Sequence, residues 1–197
     1  RVQQAVLLAH AHRDWRKVAR CARQVHGAED VEPTCYVIAN EAAALLGCDR
    51  VTVAVRSRRE AIVKAVSGQT DVSRRSNLIR LQERLGRGVL ANPAAVIVGP
   101  RIRQYEPPLD EVVTAYMNES GAKTLPLRPK PEATPNGLLF IEQFDERITA
   151  EQLAERAGSV AAHATAALQH ALAHEQVFLG RWRRKLGRLL AESFRLL

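Results

Sequence analysis

The sequence has little of what several common protein classes require. Aromatic residues make up only 5% of the 197 residues, and there are three cysteines and one methionine. The cysteines are odd in number and lack Cys-x-x-Cys spacing, which indicates reduced, partly buried thiols in a reducing compartment. No apolar run approaches the ~20 residues of a membrane span, and no stretch has the pattern of a secretory signal. Because the chain begins at Arg1 rather than methionine, we expect it to be part of a longer protein.

Motifs that carry catalysis are also missing. The sequence has no Walker-type loop, no dinucleotide-binding fingerprint and no nucleophile elbow. His170 and His174 are spaced to hold one metal ion from a helix, but no third ligand has matching spacing. We therefore expect no catalytic residue, no metal and no other cofactor, and we interpret the two histidines as helix-surface residues.

What the sequence does have is an ordinary globular composition, with 46% hydrophobic and 25% charged residues, which excludes disordered and collagen-like chains. The net charge of +8 is concentrated in residues 1–24, 74–88 and 181–197. The rest of the chain is acidic on balance. This distribution suits local contacts with anionic partners better than a uniformly basic nucleic-acid surface.

Residues 1–27 are predicted to form an N-terminal association helix that Gly27 ends. Its apolar residues recur at alternating steps of three and four, the 3.5-residue period of helices that pack on one another. The stripe consists of Leu8, Ala11, Trp15, Val18, Ala22 and Val25.

The middle of the chain changes to a period of two. Residues 51–56 alternate valine with other residues, which is typical of a half-buried strand, and a charged turn leads to a second strand at 61–66. Beyond it we expect a helix at about 74–90 that two glycines weaken, a strand at 94–98, a polar loop, a helix at about 109–118, and strands at 122–127 and 138–144.

From Thr149 the chain is predicted to be helical to near its end. Thr149 and Gln152 have the spacing of a capping box. A stripe of small apolar residues follows, which favours close helix packing: Ala157, Val160, Ala164, Ala167 and Ala171. We expect this stripe to pack with the N-terminal stripe and against a second copy of the chain, which gives a homodimer.

These elements predict an α+β fold. An antiparallel sheet of about five to six strands carries helices on its faces, with long N- and C-terminal helices. The helices and strands alternate too irregularly for a doubly wound parallel sheet.

Two stretches resemble GAF domains, which are sensor modules related in architecture to PAS domains. Residues 40–53, Asn-Glu-Ala-Ala-Ala-Leu-Leu-Gly-Cys-Asp-Arg-Val-Thr-Val, resemble the junction between a helix and the first strand of that family. Residues 137–144, Gly-Leu-Leu-Phe-Ile-Glu-Gln-Phe, resemble its final strand. The resemblance covers roughly residues 30–172, with the closing helix from 149, and it implies a PAS-like sensor fold without catalytic residues.

The same resemblance bears on the ligand. GAF domains that bind cyclic nucleotides resemble one another in an Asn-Lys…Phe-x-x-x-Asp-Glu set. Here the Asn-Lys pair is missing and residues 144–146, Phe-Asp-Glu, have a different spacing. We therefore do not expect a cyclic nucleotide, whereas a small apolar ligand between the sheet and its helices stays open beside a pocket filled by the domain's own side chains.

A narrower resemblance involves the basic segments. Residues 73–80, Ser-Arg-Arg-Ser-Asn-Leu-Ile-Arg, and 183–190, Arg-Arg-Lys-Leu-Gly-Arg-Leu-Leu, resemble GAF parts of bacterial membrane-fusion proteins of the haemolysin-D type, which are efflux or secretion adaptors. This resemblance implies a domain at the cytoplasmic face of the inner membrane. Residues 173–197 are then a basic helical extension that leads to a further segment.

The basic residues of that extension surround a tryptophan, as expected of a helix end close to anionic lipid. The cluster consists of Arg181, Trp182, Arg183, Arg184, Lys185 and Arg188. A solvated helix end that the helix dipole favours is the alternative interpretation.

Three functions remain open on these grounds. The first hypothesis is a non-catalytic GAF-like regulatory or assembly domain of a membrane-anchored adaptor, acting through helix-mediated dimerisation and small-ligand sensing. The second is a ligand-sensing module of a signalling kinase or cyclase. The third is a nucleic-acid-binding regulator, which is least favoured because no recognition motif with interleaved aromatics is present.

Overall fold

A computed structural model of the chain describes residues 30–91, 96–105, 107–127, 136–145 and 147–195, and their side chains except those of 159 and 176–195. The elements in chain order are α1 (Val31–Leu46), β1 (Arg50–Ser57), β2 (Glu60–Val66), α2 (Asn77–Ala91), β3 (Val96–Gly99), β4 (Ile102–Gln104), α3 (Asp110–Ser120), β5 (Leu125–Leu127), β6 (Gly137–Glu142) and α4 (Ala150–Arg195). A 3-10 turn at Pro107–Leu109 precedes α3. This order confirms the predicted α+β class.

The predicted N-terminal helix, with its stripe from Leu8 to Val25, lies outside the described residues. The same holds for most of the proline-rich connection between β5 and β6.

The strands in the described part of the chain form two antiparallel three-stranded units, β2-β1-β6 and β4-β3-β5. A bridge between Thr124 and Gln143 joins them. There the Gln143 N–H donates to the Thr124 carbonyl at 3.1 Å, and the Lys123 N–H donates to the Gln143 carbonyl at 2.9 Å. The backbone therefore follows the order β2-β1-β6-β5-β3-β4, an antiparallel surface of the predicted size.

Helix ends form where the sequence places their signals. Gly47 ends α1 in the left-handed region at φ 65°, and its N–H donates to the Ala43 carbonyl at 3.0 Å. The predicted capping box opens α4: the Gln152 N–H donates to Thr149 Oγ1, and the Thr149 N–H donates to Gln152 Oε1, both at 3.3 Å.

Helices cover both faces of the sheet. Because side chains alternate along a strand, Val51, Val53 and Val55 face α1 and α4, whereas Ala54 faces α2 and α3. The β6 strand alternates in the same way, with Phe140 towards α2 and α3 and Ile141 towards α4. Both faces are therefore apolar layers, and neither face of β1 is free.

The closing stripe of α4 lies within this double-layered core. Ala157, Val160, Ala164, Ala167 and Ala171 are all 8% exposed or less, and they pack with α1, β1 and β6. The stripe is therefore covered by α1, β1 and β6 of the same chain. Homodimerisation stays a prediction, and any use of α4 in it would need another face.

Two further findings differ from the sequence expectations. Residues 102–104 were expected in a polar loop but form β4, which pairs with β3 alone; an edge strand with mostly exposed side chains carries no apolar alternation. The helix α2 runs unbroken through Gly86, which was interpreted as a weak point. A Cβ at Gly86 would lie 2.7 Å from Ala61 Cβ, so this glycine allows α2 to approach β2 closely.

The helix α4 is 46 residues long and continuous across residues 172 and 173. In the part of the chain that the structure describes, no helix has the length and apolar content needed to cross a membrane.

Candidate ligand-binding site

A row of buried polar side chains lies between the sheet and the helices α2 and α3. It consists of Thr52, Gln82, Tyr116 and Glu142, each at most 1% exposed. Strand alternation places Thr52 and Glu142 on this face, beside the apolar side chains of the same core layer. Since a buried polar group is costly unless it is hydrogen-bonded, the partners of this row decide what it can do.

Gln82 connects the row. Its Nε2 donates to Thr52 Oγ1 at 3.1 Å and to Tyr116 Oη at 2.9 Å. The Tyr116 hydroxyl also hydrogen-bonds to the Glu142 carboxylate. Burial, reinforced by the negative charge of Glu142, raises the pKa of Tyr116 well above its usual value. The phenol therefore stays protonated, and its O–H donates a hydrogen bond to the carboxylate. The carbonyl oxygen of Gln82, Oε1, is buried without a hydrogen-bond partner.

Arg50 neutralises the charge of Glu142. The two residues are directly opposite on β1 and β6. Arg50 Nε lies 2.5 Å from Glu142 Oε2, and Nη2 lies 2.6 Å from Oε1, a bidentate pair. This hydrogen bonding raises the pKa of Arg50 further. The guanidinium also lies over the ring of Phe144, with its carbon atom 5.1 Å from the ring centre. Arg50 therefore makes a cation–π contact as well as the ion pair.

A cavity of about 160 Å³ opens beside Gln82, between β1, β2, α2 and the loop that precedes α2. Its floor is buried and its rim, at Gln69 and Ser73, is exposed. The volume is close to that of an engineered cavity that binds benzene. The lining residues are Arg50, Thr52, Val66, Gln69, Ser73, Ser76, Leu78, Ile79 and Gln82.

This lining is suited to binding rather than to covalent or metal chemistry. It contains hydroxyl and amide groups, one guanidinium and three apolar walls, but no cysteine, histidine or carboxylate. Across the described part of the chain, no three metal-ligating side chains lie together. The arrangement leaves room for a small molecule beside Gln82, whose carbonyl oxygen has no hydrogen-bond partner.

The two cysteines in the described range are not reactive groups of this site. Cys35 is buried in α1 on the opposite face of the sheet, and Cys48 follows the end of α1. Burial raises the pKa of each thiol to about 12. Both therefore stay protonated at neutral pH and are poor nucleophiles.

Of the candidate site residues singled out in the sequence, none whose side chain the structure describes lines this cavity. The α4 stripe lies on the other face of the sheet, and the backbone of the basic cluster from Arg181 to Arg188 is helical, with its side chains outside the described part. His170 and His174 are exposed on α4, in agreement with their interpretation as surface residues.

The polar row itself was missed, although the sequence carried a signal for it. Thr52 lies on the face of β1 opposite the three valines, which the alternation leaves to solvent but the structure buries, and Glu142 alternates on β6 together with the aromatic Phe140 and Phe144. Gln82 occupies the apolar side of α2, three residues before Leu85 and three after Ile79. Polar residues at buried positions are the informative exceptions.

No protein-family model matches the chain, and no curated protein matches it. Solved structures do. The GAF domain of a phosphoenolpyruvate-protein phosphotransferase from Acinetobacter superposes with a TM-score of 0.58 at 14% identity, over 83% of this chain and 97% of that one. A phycocyanobilin-bound GAF domain from a cyanobacterial phytochrome gives 0.56 at 20% identity, over 82% and 97%.

A bacteriophytochrome from the photosynthetic bacterium R. palustris gives a TM-score of 0.57 at 15% identity, over 89% of this chain. The chain spans only 41% of the length of that protein. At these identities the likeness shows the fold, and the fold is that of GAF domains.

Proposed function

We propose that this chain is a non-catalytic sensor module that binds a small molecule in the cavity beside Gln82. The observation that carries this proposal is the Gln82 carbonyl oxygen, which is buried and without a hydrogen-bond partner, on a residue that lines the cavity. An unmade buried hydrogen bond costs about 1–3 kcal/mol. A ligand that reaches this oxygen and donates to it recovers that free energy, so we expect its binding to stabilise the native state.

The bound molecule is smaller than the one named for the cyanobacterial neighbour. That domain is bound to phycocyanobilin, whereas the cavity here has about 160 Å³, room for roughly one ring with a substituent. The raised thiol pKa values of Cys35 and Cys48 also argue against covalent attachment of a chromophore at either residue. We propose reversible binding.

A route from the cavity to α4 supports a sensing role. Glu142 of β6 belongs to the polar row, while its neighbour Ile141 packs towards α4. Just beyond β6, the Phe144 N–H donates to Asp49 Oδ2 at 2.8 Å, and Arg147 Nη2 donates to Asp49 Oδ1 at 2.6 Å. A change in the row is thereby connected to the residues that lead into α4, and we propose that α4 passes it on.

Ligand-dependent thermal stability tests this function. A library of ring-sized fragments is screened against the chain by thermal unfolding. A fragment at one hundred times its Kd stabilises the native state by ~2.7 kcal/mol, which is about 5–10 °C in Tm for a domain of this size. We expect at least one fragment class to give this shift.

Two variants locate the binding. Gln82→Met keeps the side-chain length but removes the carbonyl oxygen, so it should lose the shift; Gln169→Met, at an exposed position on α4, should keep it. An unchanged shift in Gln82→Met, or the absence of any stabilising fragment, would contradict the proposal.

The wider setting of the module is a separate proposal. Leu172 is the last residue of α4 that packs against the described core clusters. Beyond it the helix continues to Arg195, roughly 35 Å at 1.5 Å per residue. This continuity supports a connection from the domain to a further segment. We propose that the connection is membrane-proximal, on the cytoplasmic face of the bacterial inner membrane, in a membrane-fusion adaptor for efflux or secretion, and that it assembles as a homodimer; a signalling kinase or cyclase is the alternative setting.

A further inference from the structure

We infer that the cavity selects an uncharged amide carried on a ring, and that it discriminates against charged molecules of the same size. This inference rests on the proposed function, because it names the chemical class of the ligand for the same cavity. Three features of the lining carry it: its charge, its unmet hydrogen bond and its shape.

The charge of the lining excludes ions. Arg50 is the one ionised side chain in the lining, and Glu142 holds it through two short hydrogen bonds. An anion would have to compete with a carboxylate that is fully buried and already bidentate. A cation would lie next to a guanidinium without any carboxylate in the lining. In both cases the ion loses water and gains no counter-charge, which is unfavourable.

The unmet hydrogen bond requires a donor. Both Nε2 protons of Gln82 are used, one by Thr52 and one by Tyr116, so the orientation of the amide group is fixed. Its Oε1 atom is buried without a partner, on a residue that lines the cavity, and a ligand that reaches this acceptor must supply an N–H or O–H group. At the rim, the hydroxyl groups of Ser73 and Ser76 can donate to an acceptor of the same ligand.

The shape requires a compact, largely apolar body. Val66, Leu78 and Ile79 form the apolar walls of a space of about 160 Å³, which compares with the volume that holds one benzene ring. A ring that carries a carboxamide presents a flat body to these walls, an N–H donor to Gln82 and a carbonyl acceptor to the rim. A cyclic amide within the ring offers the same pair of groups.

Three probes of equal size separate charge from shape. Benzamide is neutral, benzoate is an anion and benzamidinium is a cation, and all three have the same ring. Their affinities for the full chain are measured by calorimetry at pH 7. We expect benzamide to bind at least tenfold more tightly than either ion, which is about 1.4 kcal/mol.

Variants at Gln82 test the donor requirement. In Gln82→Met the preference for benzamide should fall below threefold, whereas Gln169→Met should keep it. Gln82→Leu also lacks the carbonyl oxygen and adds no charge to the core, so it should lose the preference in the same way. This second variant keeps the test decisive if Gln82→Met does not fold.

The outcomes also separate this inference from the proposed function. Equal or tighter binding of benzoate or benzamidinium by the wild-type chain overturns the inference alone. The inference also fails if other fragments stabilise the chain through Gln82 but benzamide does not bind. If no fragment and none of the three probes binds, the proposed function fails with it.

Discussion

Arg50 and Glu142 differ in solvent exposure, and this difference determines how much stability is lost when either side chain is removed. The Glu142 side chain is fully buried, whereas the Arg50 side chain is 19% exposed. A buried charge without its partner typically costs 3–5 kcal/mol, more than the intact pair contributes. The pair therefore fixes the ends of β1 and β6 relative to each other rather than adding much net stability.

We predict an asymmetric cost when the pair is broken. Arg50→Met leaves the Glu142 carboxylate buried without a counter-charge, with only the Tyr116 hydroxyl bonded to it, and should lower the free energy of unfolding by ~3–5 kcal/mol. Glu142→Leu leaves a guanidinium that can turn towards solvent, so it should cost less, ~1–3 kcal/mol. The double variant should be more stable than Arg50→Met alone. Urea unfolding of the four proteins measures this cycle, and strictly additive costs would contradict the coupling.

Residues of the site were predictable by position but not by role. The period of two in β1 places Thr52 on the face opposite the valines, and the same reasoning on β6 places Glu142 on the face of Phe140. The sequence does not show that these two positions come together with Gln82 and Tyr116, since that depends on the pairing of β1 with β6 and on two helices crossing above them. Chemistry that assembles across four elements leaves no local motif to recognise.

At the scale of elements, Gly86 and Gly158 show two opposite uses of glycine in a helix. A Cβ at Gly86 would lie 2.7 Å from Ala61 Cβ and 3.2 Å from Leu138 Cδ1, so α2 touches the sheet there. At Gly158 in α4, no described atom outside the neighbouring turns of the same helix lies within 4 Å of the Cβ position. Helix propensity favours alanine at both positions, and only packing distinguishes them.

Alanine substitutions test this difference. Gly86→Ala should destabilise the chain by ~1–3 kcal/mol, because α2 must move away from β2 to accommodate the methyl group. Gly158→Ala should stabilise it by ~0.5–1 kcal/mol, because it removes backbone freedom from the unfolded chain. Thermal and urea unfolding of the two variants measure the effects. Stabilisation by Gly86→Ala would show that the close approach of α2 is not required.

Elements with strong local signals were predicted well. Capping residues placed the start of α4 and the end of α1, and alternating valines placed β1. The strand β4 was missed because it pairs on one side only and exposes most of its side chains. For such a strand the pairing with β3, and not its own side-chain pattern, determines the structure.

At the scale of the whole molecule, the sheet separates two layers that differ in their buried side chains. The layer of α2 and α3 contains the polar row and the cavity, and the layer of α1 and α4 is apolar throughout its core clusters. The strands β1 and β6 contribute side chains to both layers. This arrangement supports our proposal that binding under α2 is transmitted to α4, and it could not be inferred from the period of the α4 stripe alone.

The buried α4 stripe also changes how association can be tested. Val160 is packed against α1 and β1. Replacing it with glutamate would place an unpaired charge in the core and destabilise the monomer itself. Tests of homodimerisation therefore need exposed α4 positions, with light scattering compared at matched stability.

The membrane-proximal proposal gives a prediction for the chain as a whole. Each basic residue near an anionic surface is worth ~1 kcal/mol. Replacing Arg181, Arg183, Arg184, Lys185 and Arg188 with glutamine should therefore weaken binding to vesicles that contain phosphatidylglycerol by about three orders of magnitude. Flotation of the wild-type chain at low salt should decrease as salt rises, because screening shortens the reach of the charges.

The control for this experiment is the stability of the domain. The described core clusters end at Leu172, so the glutamine variant should keep the wild-type Tm and the benzamide affinity while losing flotation. A wild-type chain that does not float, or a glutamine variant that floats equally well, would contradict contact of this extension with the membrane. Because neither result changes the cavity, the sensing function is tested separately from its location.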